Sequence, residues 1–318
     1  MVNSGLKIIS RRALSSIALL LIVVSLVFIV VILAPGNPAT RYMSSNLSPQ
    51  LIELIEKEYS FKGNIAEQYF AFMGRILTGN FGYSTTFKTP VISVIIEYLR
   101  LTVLLSLIAF IIQSLSAVVL VYISYTNKRT EKVFRNITFI MFTIPAYVTG
   151  LLLILLFSVF AGIFPVSGLP YRESAGLFGY ISHLTLPVIT LAVPGIALFY
   201  NYLHSTVAKT AKAEYITFVR SLGLSEKEIF LRHILPNSVI PLLSIVAIEI
   251  GFLLSGSLII EVLFSLPGFG KLTFTAFLDR DYPLIIGTTL LSAFFMIFAN
   301  FLADLVKYYF DKRYRELI

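Results

Sequence analysis

Long apolar windows alternate with polar segments along the whole chain. About twenty apolar residues are needed for a helix to cross the hydrocarbon core of a bilayer, and each window is long enough for one such helix. The windows run from 13 to about 33, 101 to 125, 136 to about 160, about 181 to 204, about 237 to 260, and 282 to 303. The pattern predicts an all-α integral membrane protein with six transmembrane helices. Pro145, Pro187 and Pro194 lie inside two of the windows, which is tolerable where neighbouring helices satisfy the freed carbonyls.

The composition agrees with this fold class. Of the 318 residues, 57% are hydrophobic and 13% are charged, and the mean hydropathy is +0.86. Soluble domains carry roughly a quarter of charged residues, and the alternating strands of an outer-membrane barrel would give a far lower hydropathy. The composition therefore argues against a soluble globular domain and against a barrel.

Positive charge is concentrated in the segments that six helices would place on one side of the membrane. The net charge is +8, and most of the 25 lysines and arginines lie before the first window, after the second, after the fourth and after the sixth. They are Lys7, Arg11, Arg12, Lys128, Arg129, Lys132, Arg135, Lys209, Lys212, Arg220, Lys227, Arg232, Lys307, Lys312, Arg313 and Arg315. The positive-inside rule then predicts cytoplasmic N- and C-termini, with the first window as an uncleaved anchor. The basic charge requires no nucleic-acid partner.

The sequence lacks the residues that several kinds of catalytic and metal site require. The chain has no cysteine, which excludes disulfides, thiolate metal sites and cysteine nucleophiles. Its histidines, His183, His204 and His233, are far apart in sequence and predict no metal site. An intramembrane enzyme would need converging acid, nucleophile or metal groups, and the windows show none. An ion-coupled secondary transporter stays open as an alternative, because Glu249 and the prolines of the fourth window hint at a relay or a broken helix.

The segment between the first two windows, 34–98, predicts short external helices. Ser48 and Pro49 form a helix start, followed by an apolar face that reaches Tyr59. Asn64 followed by Glu67 starts a second helix, whose apolar face comprises Ile65, Tyr69, Met73 and Ile76. Two interpretations are open: the helices pack on the membrane or on the protein's own spans, or they form a docking surface for an external partner.

The segment between the fourth and fifth windows, 205–236, predicts a helical hairpin. Tyr215, Phe218, Val219 and Leu222 recur with helical spacing. Gly223 then stands where a helix end favours a left-handed residue, and Ser225 with Glu228 forms a capping box for a second helix, flanked by the apolar pair Leu224 and Ile229. The hairpin either rests on the lipid surface or presents a rigid knob to a cytoplasmic protein.

This hairpin resembles the "EAA" loop of ABC-transporter permeases. Tyr215, Arg220, Gly223 to Glu226 and His233 agree with the version found in the oligopeptide, dipeptide and nickel importers, although Thr217, Phe218 and Val219 replace the EAA letters. Further stretches are similar to motifs of the same family in the same order. They are Ala34 to Pro38, Gly79 to Ser84, Phe264 to Gly270, Arg280 to Pro283, and Asn300 to Asp304. The long external segment is most similar to that of the "B" permease subunit.

The resemblance implies a half-permease of an ATP-driven importer in a prokaryotic cell (inner) membrane, and not an enzyme. Its partners would be a second homologous permease, two cytoplasmic ATP-binding subunits and an external substrate-binding protein that delivers a peptide-like substrate. ATP and Mg would be bound by the ATPase subunits, and this chain lacks a GxxxxGK phosphate-binding loop. The coupling helix would comprise Glu214, Tyr215, Thr217, Phe218, Arg220, Ser221, Leu222 and Gly223. Within it, Tyr215, Phe218 and Leu222 are the predicted buried knob, Glu214 and Arg220 the rim, and Gly223 the corner.

Two further features of the fifth window predict functional roles from their residue types. Glu249 is an intramembrane acid and so a candidate contact for an amine-bearing substrate, with a locally hydrogen-bonded packing role as the alternative. Gly251, Ser255 and Gly256 form a small-residue face that predicts an interface with the second permease. Glu261 and Asp304, near span ends, are expected to reach water.

The predicted organisation has four parts. Residues 1–33 form the cytoplasmic N-terminus and first helix, 34–98 the external segment, 99–306 a five-helix permease core that includes the coupling loop 205–236, and 307–318 the cytoplasmic tail. The motifs leave the substrate undecided among oligopeptide, dipeptide, nickel complex, glutathione and sugar.

Overall fold

The computed structural model describes residues 2–33, 64–170 and 176–310. Within these ranges the chain is built of helices joined by short turns. In chain order they are α1 (Val2–Leu33), α2 (Ile65–Leu77), α3 (Val91–Thr126), α4 (Lys128–Thr143), α5 (Ala146–Leu153), α6 (Gly176–Thr210), α7 (Glu214–Ser221), α8 (Glu226–Ile229), α9 (Leu235–Val239), α10 (Leu243–Gly256), α11 (Leu258–Leu263), α12 (Phe269–Asp279) and α13 (Tyr282–Phe310). Wider π-type turns extend α5 through Ile154–Phe160 and join α8 to α9 through Phe230–Ile234, and a 3₁₀ turn (Ile240–Leu242) precedes α10.

Most of the predicted membrane spans are present as single long helices. Among the described residues, five helical stretches are long and apolar enough to cross a bilayer: Ser10–Val30, Val91–Thr126, Gly176–Thr210, Ile245–Leu263 and Tyr282–Val306. The prediction of an all-α membrane protein is confirmed. Helix α3 begins at Val91, well before the apolar window that predicted it.

The third predicted span is not a single straight helix. Helices α4 and α5 meet at a bend of 100°, so that 136–160 forms a broken span or a re-entrant pair. Ile144 has extended backbone angles (φ −78°, ψ 123°), and the ring of the following Pro145 disfavours a helical conformation at that position. Pro187 and Pro194, by contrast, lie within the continuous helix α6.

Helix α2 packs on the protein's own spans. Asn64 caps it by accepting a hydrogen bond from the backbone N–H of Ala66, and the apolar residues of its inner face, Tyr69, Phe72, Met73 and Ile76, contact α1 and α13. The Tyr69 hydroxyl lies 2.8 Å from the Ser25 hydroxyl of α1. For this helix the packing interpretation is confirmed, although Ile65 of the predicted face is exposed. The helix predicted after Ser48 lies outside the described residues.

The core that positions the hairpin lies at one end of α3 and α6. Their buried side chains include Val121, Tyr200 and Val207, and these pack together with Ile216 and Phe230 of the segment that follows α6. The Phe230 ring lies 5.0 Å from that of Tyr122 and 5.3 Å from that of Tyr125. The hairpin is therefore anchored to two membrane-spanning helices by buried aromatic contacts.

Candidate functional site

The hairpin between α6 and α9 has the start and stop signals that its sequence predicts. Helix α7 ends at Ser221, and Gly223 has a left-handed φ of +78°, which glycine adopts without steric cost. The Ser225 hydroxyl then accepts a hydrogen bond from the Glu228 N–H at 3.3 Å and caps α8. Leu224 and Ile229 pack into the same core cluster. Local sequence signals thus define a compact helix–corner–helix unit.

Helix α7 has one face buried in the chain and another that is exposed. Ile216 is fully buried and Val219 is 8% exposed, both against the ends of α3 and α6. On the other side Tyr215 is 43%, Phe218 66% and Leu222 61% exposed. The predicted four-residue stripe is therefore wrong at Val219, which packs inward. The three residues predicted as the knob remain together as an apolar surface that this chain does not cover.

The polar residues of α7 lie around that surface. Glu214, Thr217 and Ser221 are exposed, and the Ser221 hydroxyl donates to the carbonyl of Phe218 at 2.7 Å. The Tyr215 hydroxyl donates to the carbonyl of His233 at 3.3 Å and accepts from the Asn237 amide at 3.2 Å. The edge of the apolar surface is thereby tied to the start of α9.

Arg220, predicted at the rim, joins the hairpin to the end of α3. Its Nε lies 3.1 Å from Glu226 Oε1 and its Nη2 donates to the Tyr125 hydroxyl at 3.0 Å, while that hydroxyl donates to the other Glu226 oxygen. The hydrogen bond from Tyr125, followed by the one from Arg220, holds the pKa of Glu226 below its ordinary value. This three-residue network therefore stabilises the folded permease at pH values above the ordinary pKa of a glutamate. That stabilisation is lost as the pH falls through the lowered pKa of Glu226.

Glu249 lies on the inner side of α10, next to α3. Its carboxyl is partly buried and interacts with the side chain of Gln113. Both amide atoms of Gln113 are buried without a hydrogen bond of ordinary geometry, and a Cβ at Gly195 of α6 would lie 1.7 Å from Gln113 Oε1. The predicted mid-membrane acid therefore faces the interior of the helix bundle, beside the Gln113 amide.

The small-residue face of α10 serves a contact within the chain at Gly251. This glycine is buried, and an added Cβ would lie 2.6 Å from Met296 Sδ and 3.3 Å from Met296 Cα of α13. The predicted interface with a second permease is therefore wrong at Gly251, because α13 already occupies that surface. For Ser255 and Gly256 it stays a prediction.

Sequence reasoning missed a buried carboxylate at Glu261. Although expected to reach water, its side chain is fully buried and accepts hydrogen bonds from Thr102 Oγ1 at 2.6 Å, Ser257 Oγ at 2.7 Å and the Lys271 N–H at 2.9 Å. The last of these bonds caps α12, whose own N-cap residue is Gly268. The expected solvent-exposed acid is thus a structural acceptor that joins α3, α11 and α12.

Asp281 plays a similar part at the start of α13. It accepts from the Leu284 N–H at 3.2 Å, as an N-cap residue does, and from the Ser84 hydroxyl at 2.5 Å and the Thr86 N–H at 3.0 Å. An aspartate followed by Tyr-Pro at the start of a long apolar window was a readable N-cap signal. Asp304 pairs with Arg12 at 3.2 Å, so this acid also has a partner in the chain.

Comparison with known proteins identifies the family of the chain. The family described as "Binding-protein-dependent transport system inner membrane component" matches residues 114–316, which include the hairpin, and its N-terminal companion matches residues 5–107. The chain belongs to this permease family. The resemblance seen in the sequence motifs is confirmed, and the permease is a membrane transport subunit and not an enzyme.

Three relatives align with the permease over nearly their whole lengths. The "Oligopeptide transport system permease protein AppB" of Bacillus subtilis is 32% identical over 96% of this chain and 98% of its own. The "Dipeptide transport system permease protein DppB" of Lactococcus lactis is 28% identical over 93% and 95%, respectively. The "Nickel import system permease protein NikB" of Staphylococcus aureus is 27% identical over 96% and 90%. The permease is thus a multi-pass membrane protein related to ABC importers of peptides and nickel.

Proposed function

We propose that this permease forms the translocation path of an ATP-driven importer together with a second homologous permease subunit. Two cytoplasmic ATP-binding subunits bind the ATP and Mg, and an external binding protein delivers a peptide-like substrate. The N- and C-termini lie in the cytoplasm of a prokaryotic cell. The observation that carries this proposal is the apolar surface of Tyr215, Phe218 and Leu222, which is exposed on a hairpin that is otherwise packed and capped.

The hairpin is suited to transmit a movement because it is stiffly joined to the spans. Phe230 and Ile216 are fully buried between α3 and α6, and Arg220 and Glu226 bind the Tyr125 hydroxyl at the end of α3. A displacement imposed on the exposed surface would therefore move α3 and α6 and not only the loop. Packed side chains and rigid helices of this kind can carry energetic coupling between two distant sites.

Cross-linking from Phe218→Cys tests the docking surface directly. The chain has no native cysteine, so a cysteine-directed photo-cross-linker reacts at one permease position. In native membranes we expect capture of the ATP-binding subunit, with a yield that differs with and without ATP. Phe139→Cys is the matched control, because Phe139 of α4 is similarly exposed at 69% and lies outside the hairpin. Capture of lipid alone from Phe218→Cys would contradict the docking role and favour ion-driven transport.

Glu249 is proposed to contact a cationic group of the substrate. A charge-assisted hydrogen bond contributes about 1.5–3 kcal/mol, so Glu249→Gln should lower the uptake efficiency for a peptide with a free amino terminus by roughly tenfold or more. Uptake of the same peptide with an acetylated amino terminus should stay unchanged, since glutamine preserves the shape beside Gln113. Competition uptake assays with the two peptides measure the difference. An equal loss for both peptides would assign Glu249 to helix packing instead.

A further inference from the structure

A groove of about 420 Å³ lies between the first and last membrane-spanning helices. This volume is within the range of small-molecule sites, roughly 300–1,000 Å³. Its walls are apolar and include Leu26, Val27 and Val30 of α1, Phe277 of α12, and Tyr282 and Ile285 of α13. Leu26, Val30 and Phe277 are each more than half exposed. The groove therefore exposes apolar side chains to the environment of these helices.

The packing of α1 against α13 forms one side of the groove. Val24 and Phe28 pack against Ile286 and Leu290, near the end of α1 and the start of α13, and Ile286 also lines the groove. Near one end of the pair, Arg12 and Asp304 form an ion pair at 3.2 Å. The groove opens towards the other end, beside the turn between α12 and α13.

Arg280, in that turn, contributes the one charged side chain of the groove lining. Its backbone has a left-handed φ of +54° and ends α12, a conformation that is uncommon for a residue other than glycine. Among the described residues no hydrogen bond or ion pair involves its exposed guanidinium. The neighbouring acids are engaged elsewhere, since Asp281 binds Ser84 and Asp279 accepts from Thr86. The guanidinium is therefore available to an anion from outside the described chain.

The position of Arg280 relative to the candidate membrane spans indicates which kind of anion it could bind. Tyr282 is the first residue of α13, and tyrosine is enriched at membrane interfaces. Arg280 lies two residues before it, just outside the candidate span Tyr282–Val306, while Leu26 and Val30 lie within the candidate span Ser10–Val30. Guanidinium groups bind phosphate oxygens in a bidentate manner, and basic pockets between membrane helices bind lipid headgroups.

We propose that the groove between α1 and α13 binds one phospholipid. Its phosphate pairs with Arg280, and one acyl chain lies along Leu26, Val30 and Phe277. The lipid comes from the leaflet on the side of the α12–α13 turn, opposite the hairpin. This site does not depend on which substrate the permease carries.

Lipid retention by the purified, complete transport complex tests the proposal. We expect native mass spectrometry to find a retained phospholipid, with Arg280→Ala lowering its occupancy by roughly tenfold and Arg280→Lys lowering it less. Val30→Trp should also expel the lipid by filling the groove while leaving Arg280 in place. Arg129→Ala is the control, because Arg129 is an exposed cation at the start of α4, and it should retain the lipid. Equal retention in Arg280→Ala, Val30→Trp and the unaltered complex would overturn the site.

A photo-cross-linking amino acid at Val30 identifies the occupant in native membranes. The expected product is this chain with the added mass of one phospholipid, diminished when Arg280→Ala is combined with it. A cross-link to polypeptide, either another segment of this chain or a partner subunit, would overturn the proposal. The complex must keep its thermal transition in each variant, so that loss of lipid is not loss of fold.

Discussion

Phe218→Asp is expected to abolish ATP-driven uptake while the permease remains folded and inserted. Phe218 is 66% exposed in this chain, so an aspartate there meets water and leaves the isolated fold nearly unaffected, as surface substitutions do. In a contact with an ATPase subunit that excludes water, the same carboxylate would be buried without a partner. Its burial would weaken docking by several kcal/mol of binding free energy. A loss of about 3 kcal/mol corresponds to a decrease of roughly 100-fold. Substrate uptake and co-purification of the ATPase subunit measure the effect.

The matched control for this change is Phe218→Leu. Leucine keeps an apolar side chain at the same place, so uptake should stay within a few-fold of the unaltered permease. Each variant is compared at equal amounts of inserted protein. Normal uptake by Phe218→Asp would show that the exposed surface of α7 does not dock an ATPase, whatever the family of the chain.

Gly270→Ala is expected to destabilise the end of the permease opposite the hairpin. An added Cβ at Gly270 would lie 2.4 Å from Leu258 Cα and 2.6 Å from Leu258 N, and backbone atoms cannot move aside as a flexible side chain can. Separating α12 from α11 would also lengthen the bond from the Lys271 N–H to the buried Glu261 carboxylate, now 2.9 Å. We expect a loss of about 3 kcal/mol and a fall in Tm of roughly 6–10 °C.

Gly74→Ala provides the control for the added methyl group. Gly74 lies in α2 and has no heavy atom within 4 Å of the position of an added Cβ. Alanine favours a helix over glycine by about 0.5–1 kcal/mol, so its Tm should be unchanged or slightly raised. Thermal unfolding of the detergent-purified permease at a fixed scan rate compares the two variants. A Gly270→Ala variant as stable as Gly74→Ala would contradict the close approach of α11 and α12.

Features with local causes were predictable from the sequence. Gly223 and Ser225 define the corner of the hairpin because glycine suits a left-handed backbone and serine caps a helix within four residues. The apolar windows predicted the spans because hydrocarbon requires a continuous apolar stretch. Pro145 shows the limit of such reasoning: it accompanies a bend of 100°, whereas Pro187 and Pro194 lie within the continuous α6.

From the amino-acid sequence alone it follows that the chain is a helical membrane protein, where its hairpin turns, and, through its motifs, which family it belongs to. Which side chains are covered depends on the tertiary structure. Val219 belongs to the same helical stripe as Phe218, yet it packs against α3 and α6 while Phe218 is exposed. Glu261 is buried because Thr102, distant in sequence, and the N-terminus of α12 supply its hydrogen bonds. Burial depends on contact and hydrogen-bond partners that folding brings together, and the order of residues along the chain does not identify these partners.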